Sequence, residues 1–315
     1  MTARIPGWKV LRQSARWLRS RGRPRVVILG YHRVADAPID PFRMAISPAA
    51  FEAQLAFLAS RCRPVSLTRA IEELDTGRTP ARTVVVTLDD GYEDTLQVAL
   101  PLLRRYAVPA TVFVCTGSAG RAFWWDRLAA LVGDGARLPA RFTIDVGTNR
   151  HELATSDHEA LLGRLSRLLE PAHPDERERL LAALHAQAPS GAAPTARALL
   201  PDELAAIAGD PLVEVGGHTL NHPPLAMLQE ADQRREIAEN RRVIESVTGR
   251  PVRHFAYPHG SHSMTTTRLV RDAGYEAACC STPDVALPGS DRLTLPRLWV
   301  DSSAGFERWI TRWLG

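Results

Sequence analysis

The chain has 315 residues, 45% apolar and 23% charged. This excludes a disordered, collagen-like or fibrous chain and allows one large domain or two ordinary ones. The net charge of +4 hides an asymmetry: eight of 39 basic residues lie in the first 25 positions, where no acid occurs, and the rest carries 31 basic against 35 acidic residues. A body with a net charge of −4 removes the electrostatic case for nucleic-acid binding, and no apolar run is long enough to span a membrane.

The first predicted element is the basic arm, residues 1–25. Over Trp8–Ser20, Lys9, Arg12, Arg16 and Arg19 share one arc of a helix, and Trp8, Val10, Leu11, Trp17 and Leu18 occupy the rest. The pattern suits a helix docked on the body with a solvated basic edge, or peripheral attachment to an anionic membrane surface. The arm has no apolar h-region. The four cysteines, Cys62, Cys115, Cys279 and Cys280, form no C-x-x-C and read as reduced thiols. The expectation is therefore a cytoplasmic protein, peripheral on the inner membrane face if the arm binds lipid.

Beyond the arm, short β-branched apolar runs alternate with helical patterns, as in an α/β fold. Strands are predicted at Val26–Leu29, Val84–Leu88, Thr111–Val114, Leu212–Val215, His254–Ala256, Tyr275–Cys279 and Leu295–Val300. Most are continuous apolar runs, which fits a parallel sheet covered on both faces. Ser47 and Pro48 read as N-cap and first residue of a helix through Ser60. The segment from about 118 to 201 reads as a helical insertion, with helices at Trp124–Val132, Asp157–Leu169 and Pro174–Ala188 and one strand candidate, Phe142–Val146. A helix over Ala231–Thr248 stops at Gly249. The last helix, Gly305–Leu314, carries Phe306, Trp309, Ile310, Trp313 and Leu314 at core-packing spacing.

Three strand ends carry chemistry. The first is Thr87-Leu88-Asp89-Asp90-Gly91. Ligand sites of α/β sheets lie at the carboxyl ends of strands, and adjacent acids on extended backbone point opposite ways, so one can bind a metal while the other faces water or substrate. The second is Gly216-Gly217-His218-Thr219-Leu220-Asn221-His222. Histidines four apart fall on one face of a helical turn, a spacing that chelates a divalent ion. Two His and one Asp leave coordination positions open for water, as in a catalytic site. The third is Phe255-Ala256-Tyr257-Pro258-His259-Gly260, a tight loop able to aim a backbone N–H at a developing oxyanion.

In this order, the three motifs resemble those of the polysaccharide deacetylases, the NodB-homology domains of carbohydrate esterase family four. The resemblance extends from the Val26–His32 stretch to Leu295-Pro296-Arg297. It implies a distorted (β/α) barrel of about seven strands and metal-dependent hydrolysis of N-acetyl groups on an amino-sugar saccharide of the cell surface or its precursor. It implies Asp89 as general base and Asp90, His218 and His222 as ligands of zinc, or of Co2+, Ni2+ or Fe2+. The backbone amide of His259 would hold the oxyanion, and Tyr92, Tyr257 and Pro258 would contact substrate. The family's third motif commonly begins with an arginine that orients the base. Here Ala256 stands there, and Arg297 is the expected substitute. The family's late general-acid histidine is missing, and His32, at the end of the first strand, is the expected replacement. A non-sugar amide, an O-acetyl ester, or an inactive carbohydrate-binding barrel remain alternative readings.

Overall fold

The computed structural model describes residues 24–37, 40–133, 138–188, 193–300 and 305–314. The helix expected at Trp8–Ser20 lies outside them. No described helix is long and apolar enough to cross a membrane.

In chain order the strands are β1 (Val26–Tyr31), β2 (Arg33–Val34), β3 (Ala45–Ile46), β4 (Arg63–Pro64), β5 (Thr83–Leu88), β6 (Ala110–Val114), β7 (Arg141–Val146), β8 (Asn149–Ala154), β9 (Val213–Gly217), β10 (His254–Ala256), β11 (Ala277–Cys279) and β12 (Leu298–Trp299). The α-helices are α1 (Pro48–Arg61), α2 (Leu67–Thr76), α3 (Leu100–Tyr106), α4 (Trp124–Val132), α5 (His158–Leu169), α6 (Pro174–Gln187), α7 (Pro201–Ala208), α8 (Glu230–Thr248), α9 (Met264–Asp272) and α10 (Phe306–Leu314).

The main sheet runs β11-β10-β9-β6-β5-β1-β12, with every neighbour parallel. β4 flanks the first two residues of β5, and β6 takes over the same edge from Val86 onward. All six residues of β1 and all six of β5 are buried, which explains their unbroken apolar runs. The sheet curls until Leu295, just before β12, bonds to β11: its N–H donates to Ala278 (2.9 Å) and its carbonyl accepts from Cys280 (2.8 Å). This closes the seam of a distorted (β/α) barrel of seven parallel strands, the architecture expected from the sequence.

Local signals set the helices. The Ser47 hydroxyl accepts from Ala50 N at the start of α1, and Gly249, at φ 64°, ends α8. In α10, Phe306, Ile310 and Leu314 are buried in the barrel core, so the apolar stripe is internal packing.

The segment between β6 and α7 departs from expectation in one respect. It holds α4, α5 and α6, and also a two-stranded antiparallel hairpin, β7–β8, in the register Phe142↔Leu153 and Ile144↔His151. The insertion is therefore mixed, not wholly helical. β8 reads Asn-Arg-His-Glu-Leu-Ala and buries only Leu153; a strand with one solvated face carries little apolar signal. The insertion has a second core, built around Leu128, Leu131, Phe142, Ile144, Leu165, Leu181 and Leu184, which reaches Tyr92 and Cys115 beside the barrel's strand ends.

Candidate active site

A cleft of about 590 Å³ opens at the carboxyl ends of the strands. It is lined by His32 after β1, Asp89 and Asp90 after β5, His218 and His222 after β9, Tyr257 and His259 after β10, and Trp299 of β12. Trp124, Trp125, Ser166 and Glu170 of the insertion form the facing wall. Parallel strands bring these residues together because each strand ends at the same side of the barrel.

The two adjacent acids have separate partners. Asp89 is 2% exposed and accepts both Arg297 amino groups, at 2.7 and 2.8 Å. Arg297 is wholly buried and also donates to Thr87 Oγ1 and the Cys280 carbonyl. Burial alone would raise the Asp89 carboxyl; the Arg297 guanidinium outweighs it and holds the pKa below the usual carboxylate value. Arg297 thus gives Asp89 the cation that Ala256 does not; the Ala256 side chain is apolar, and its carbonyl accepts from His218 Nδ1 at 2.7 Å.

Asp90 turns the other way, in a left-handed backbone conformation with φ 71°. Its Oδ1 stands 3.5 Å from His218 Nε2 and 3.4 Å from His222 Nε2. That oxygen is buried and has no hydrogen-bond partner. Burial, and then the neighbouring Asp89, push the carboxyl well above its usual range. Burial pushes His218 down to about 4 and His222 well below its ordinary value, so both imidazoles are neutral at pH 7. His218 donates through Nδ1, so its Nε2 presents a lone pair. An unpartnered carboxylate oxygen between two neutral imidazoles fits a divalent cation: the donor types suit zinc, and the cation would supply the missing partner.

The two histidines do not lie on a helical turn. His218-Thr219-Leu220-Asn221-His222 is irregular, with Thr219 at φ 68° and His222 at φ 55°. Such left-handed non-glycine residues persist only where surroundings hold them. Asn240 of α8 takes the His218 N–H and donates to the carbonyls of Val114 and Thr219. Glu236, one turn earlier, accepts from the backbone N–H and the side chain of Asn221, at 2.8 and 2.7 Å. Arg177 of α6 donates to the Asn221 carbonyl from the insertion side, at 3.2 Å. The residue before His222 is thus held between two buried, opposite charges.

Cys115 is a further neighbour that sequence reading left out. Its Sγ lies within 4.8 Å of the ligand atoms of Asp90 and His218. The thiol donates to the His218 carbonyl (2.9 Å), and burial and then Asp90 raise its pKa well above normal. It is a neutral thiol, so the carboxylate–imidazole set is the better ligand group. Glu236 and Asn240 left one trace: polar residues on the buried face of α8, beside Ile237 and Ile244.

His32 lies in the cleft wall, stacked on Trp299 at 4.6 Å with an interplanar angle of 12°. Burial pushes its pKa down to about 4, against the pull of Asp89. Its imidazole is therefore neutral at pH 7 in the resting site. His259 sits at φ 55°, its ring 4.5 Å from that of His222 and its Nδ1 3.5 Å from Glu170. Tyr257 lines the cleft with its ring, but its hydroxyl donates to the Leu293 carbonyl at 2.9 Å.

Two expected substrate contacts need correction. Tyr92 is fully buried; its hydroxyl donates to Asp126 at 2.8 Å and accepts from Trp125 Nε1 at 2.6 Å. It joins the insertion to the barrel and does not reach the cleft. Pro258 is buried in its turn and is not part of the lining. A one-residue change of direction after a strand end decides which side chain faces inward, and sequence pattern does not register it.

Comparison with known proteins agrees with this geometry. A family profile described as "Polysaccharide deacetylase" matches residues 76–162 and 172–278. A poly-beta-1,6-N-acetyl-D-glucosamine N-deacetylase of Staphylococcus aureus is 32% identical over 105 residues, covering 29% of this chain and 36% of that enzyme. The putative polysaccharide deacetylase YxkH of Bacillus subtilis is 27% identical over 106 residues, 33% of this chain and 37% of that protein. The matched stretch thus spans little more than a third of either relative's length. Among solved structures, IcaB from Ammonifex degensii superposes with a TM-score of 0.62 at 20% identity, covering 92% of this chain and 97% of that one.

Proposed function

This chain belongs to the polysaccharide deacetylase family, and from that premise we propose that it is a metal-dependent hydrolase removing N-acetyl groups from an amino-sugar polysaccharide or its precursor. One observation carries the reading. The unpartnered Asp90 oxygen lies between two neutral imidazoles, directly beside an Asp89 that Arg297 keeps ionised. A purely binding cleft has no use for a base next to a cation site.

Asp90, His218 and His222 would hold the ion, and zinc suits two imidazoles and one carboxylate. When bound, such an ion supplies Lewis-acid polarisation of the acetyl carbonyl and a water acidified from 15.7 toward about 7. Asp89 accepts the proton of the attacking water; bidentate pairing with Arg297 leaves lone pairs on the carboxylate for it. The His259 N–H donates to the oxyanion as the carbonyl carbon becomes tetrahedral. The amine is a poor leaving group until protonated. Asp89, now the protonated acid, returns that proton to the amide nitrogen as the C–N bond breaks. Acetate and a free amino sugar result. His32, stacked on Trp299, lines the same cleft as Asp89.

The test is acetate release from N-acetylglucosamine oligomers by chelated protein, with zinc, cobalt or nickel added back and metal content measured. Activity lost on chelation and restored by zinc is expected. Metal-loaded protein that releases no acetate from any N-acetylated saccharide would overturn the reading.

A further inference from the structure

The insertion's hairpin is a two-stranded sheet, so each of its strands has an outer edge. The edge of β7 is covered by α6. There Gln187 brackets Thr143: its Oε1 accepts from the backbone N–H at 2.9 Å, and its Nε2 donates to the carbonyl at 2.8 Å. Arg179 donates to the Asp145 carbonyl at 3.1 Å. β8, among the described residues, pairs with β7 alone.

The register fixes which backbone groups are left over. The Thr155 N–H donates to the Ala140 carbonyl, and Thr143 turns its own backbone groups away from β8, toward Gln187. Residues of an antiparallel pair alternate between bonding across it and facing away. Asn149, His151 and Leu153 therefore bond to β7, and Arg150, Glu152 and Ala154 direct their N–H and carbonyl groups outward. All three of the latter are exposed. An open row of this kind is a template for another strand.

The charges on the row select the partner. Open edges are commonly blunted by lysine or proline. β8 has neither; it carries one charge of each sign, Arg150 and Glu152, at alternate positions on one face. When β8 meets β8 of a second copy in antiparallel fashion, outward-directed residues must face each other. One such register sets Arg150 against itself, and another sets Glu152 against itself. The register between them, centred on His151, sets Arg150 against Glu152 of the second copy twice over. Opposite charges directly across a sheet stabilise it, and like charges destabilise it. Within the hairpin, Arg150 already donates to Asp145 at 2.9 and 3.1 Å, and Glu152 accepts from Arg141 at 3.1 Å. A guanidinium has five donors and a carboxylate about four acceptor sites, so each can take a second partner. We propose that β8 is a self-pairing edge, through which two copies of this chain form a two-fold symmetric dimer with one continuous sheet. A single pair of short strands buries little surface, so the dimer is weak and concentration-dependent. The pairing does not depend on the deacetylase reading.

Sedimentation equilibrium of the full chain over a wide concentration range tests it. The unsubstituted protein is expected to dimerise reversibly. Glu152→Arg sets arginine against arginine at both contacts, and Arg150→Glu sets glutamate against glutamate; each alone should raise the dimer Kd about tenfold or more. An equimolar mixture of the two variants restores both opposite-charge contacts and should associate about as tightly as the unsubstituted protein. Glu152→Pro removes an N–H that faces outward, a place where an edge strand tolerates proline. It should give a monomer with an unchanged far-UV circular dichroism spectrum. An unsubstituted protein that stays monomeric throughout, a dimer that none of these variants weakens, or folded charge variants whose mixture does not re-associate would overturn the proposal.

Discussion

The barrel and the insertion meet at one cleft, yet they hold their side chains differently. In β5 every residue is buried between neighbouring strands, and of the two acids that follow, Asp89 is held by Arg297 while Asp90 faces the histidines after β9. In the insertion, β7 buries only Phe142 and Ile144 fully, α5 turns one face inward, and polar residues on its other flank meet the cleft. Backbone fixed on both sides supplies the precision that bond-breaking needs, whereas an element with one free face supplies surface for recognition. On this division the barrel would carry the chemistry and the insertion the choice of substrate.

The largest effect is expected inside the barrel. Asp89→Asn should lower kcat by about 10²–10⁴-fold, while His32→Ala should cost far less. Equal losses in steady-state kinetics would return the acid role to His32. Asp89→Ala would also strand Arg297 as a buried, uncompensated charge, at a cost of about 3–5 kcal/mol in denaturant unfolding. Within the insertion core, Leu165→Ala should cost about 2–5 kcal/mol and raise KM more than it lowers kcat. A fall in kcat at constant KM would show that the insertion takes part in the chemistry.

Arg177 is where the division should fail in a defined way. It belongs to the insertion, yet it grips Asn221 beside His222, opposite the buried Glu236. Arg177→Ala should weaken metal affinity about 10–100-fold, as loss of groups behind a metal ligand does. Arg177→Lys, which keeps the charge but not the fork of donors, should recover little. Chelator competition on the metal-free protein measures both. Unchanged affinity would mean that the barrel alone fixes His222.

The two regions were also unequally legible in the sequence. β1 and β5 stood out because doubly covered strands are continuous apolar runs, and motifs after β5 and β9 named Asp89, Asp90, His218 and His222. Arg297 is legible only through the family resemblance, whose usual arginine is replaced here by Ala256. The insertion gave less. β8 shows solvated residues on one face, Arg177 looks like any surface arginine on a helix, and Tyr92 sits in a turn whose direction no periodicity encodes. Sequence pattern reports burial well where it is two-sided, and poorly where one long polar side chain reaches from one element into another.

The smallest effect tests the seam itself. Asp126 of α4 accepts from the Tyr92 hydroxyl, which in turn accepts from Trp125 Nε1. Burial raises the Asp126 pKa from 3.8 to about 6, although Tyr92 and Arg33 pull it down. The folded protein therefore holds this proton more tightly than the unfolded chain. The stabilisation is fully present below about 3.8 and is lost as pH rises through about 6. Allowing for partial contact with solvent, it amounts to about 1–2 kcal/mol. Relative to Asp126→Asn, the unsubstituted protein should lose stability between those two pH values, with the two curves parallel above pH 7. If docking of the insertion governs saccharide recognition and not chemistry, KM should follow the same pH window in the unsubstituted protein only, while metal affinity in the two proteins stays equal. A pH-dependent difference in metal affinity between them would place the Tyr92–Asp126 contact within the catalytic framework of the barrel.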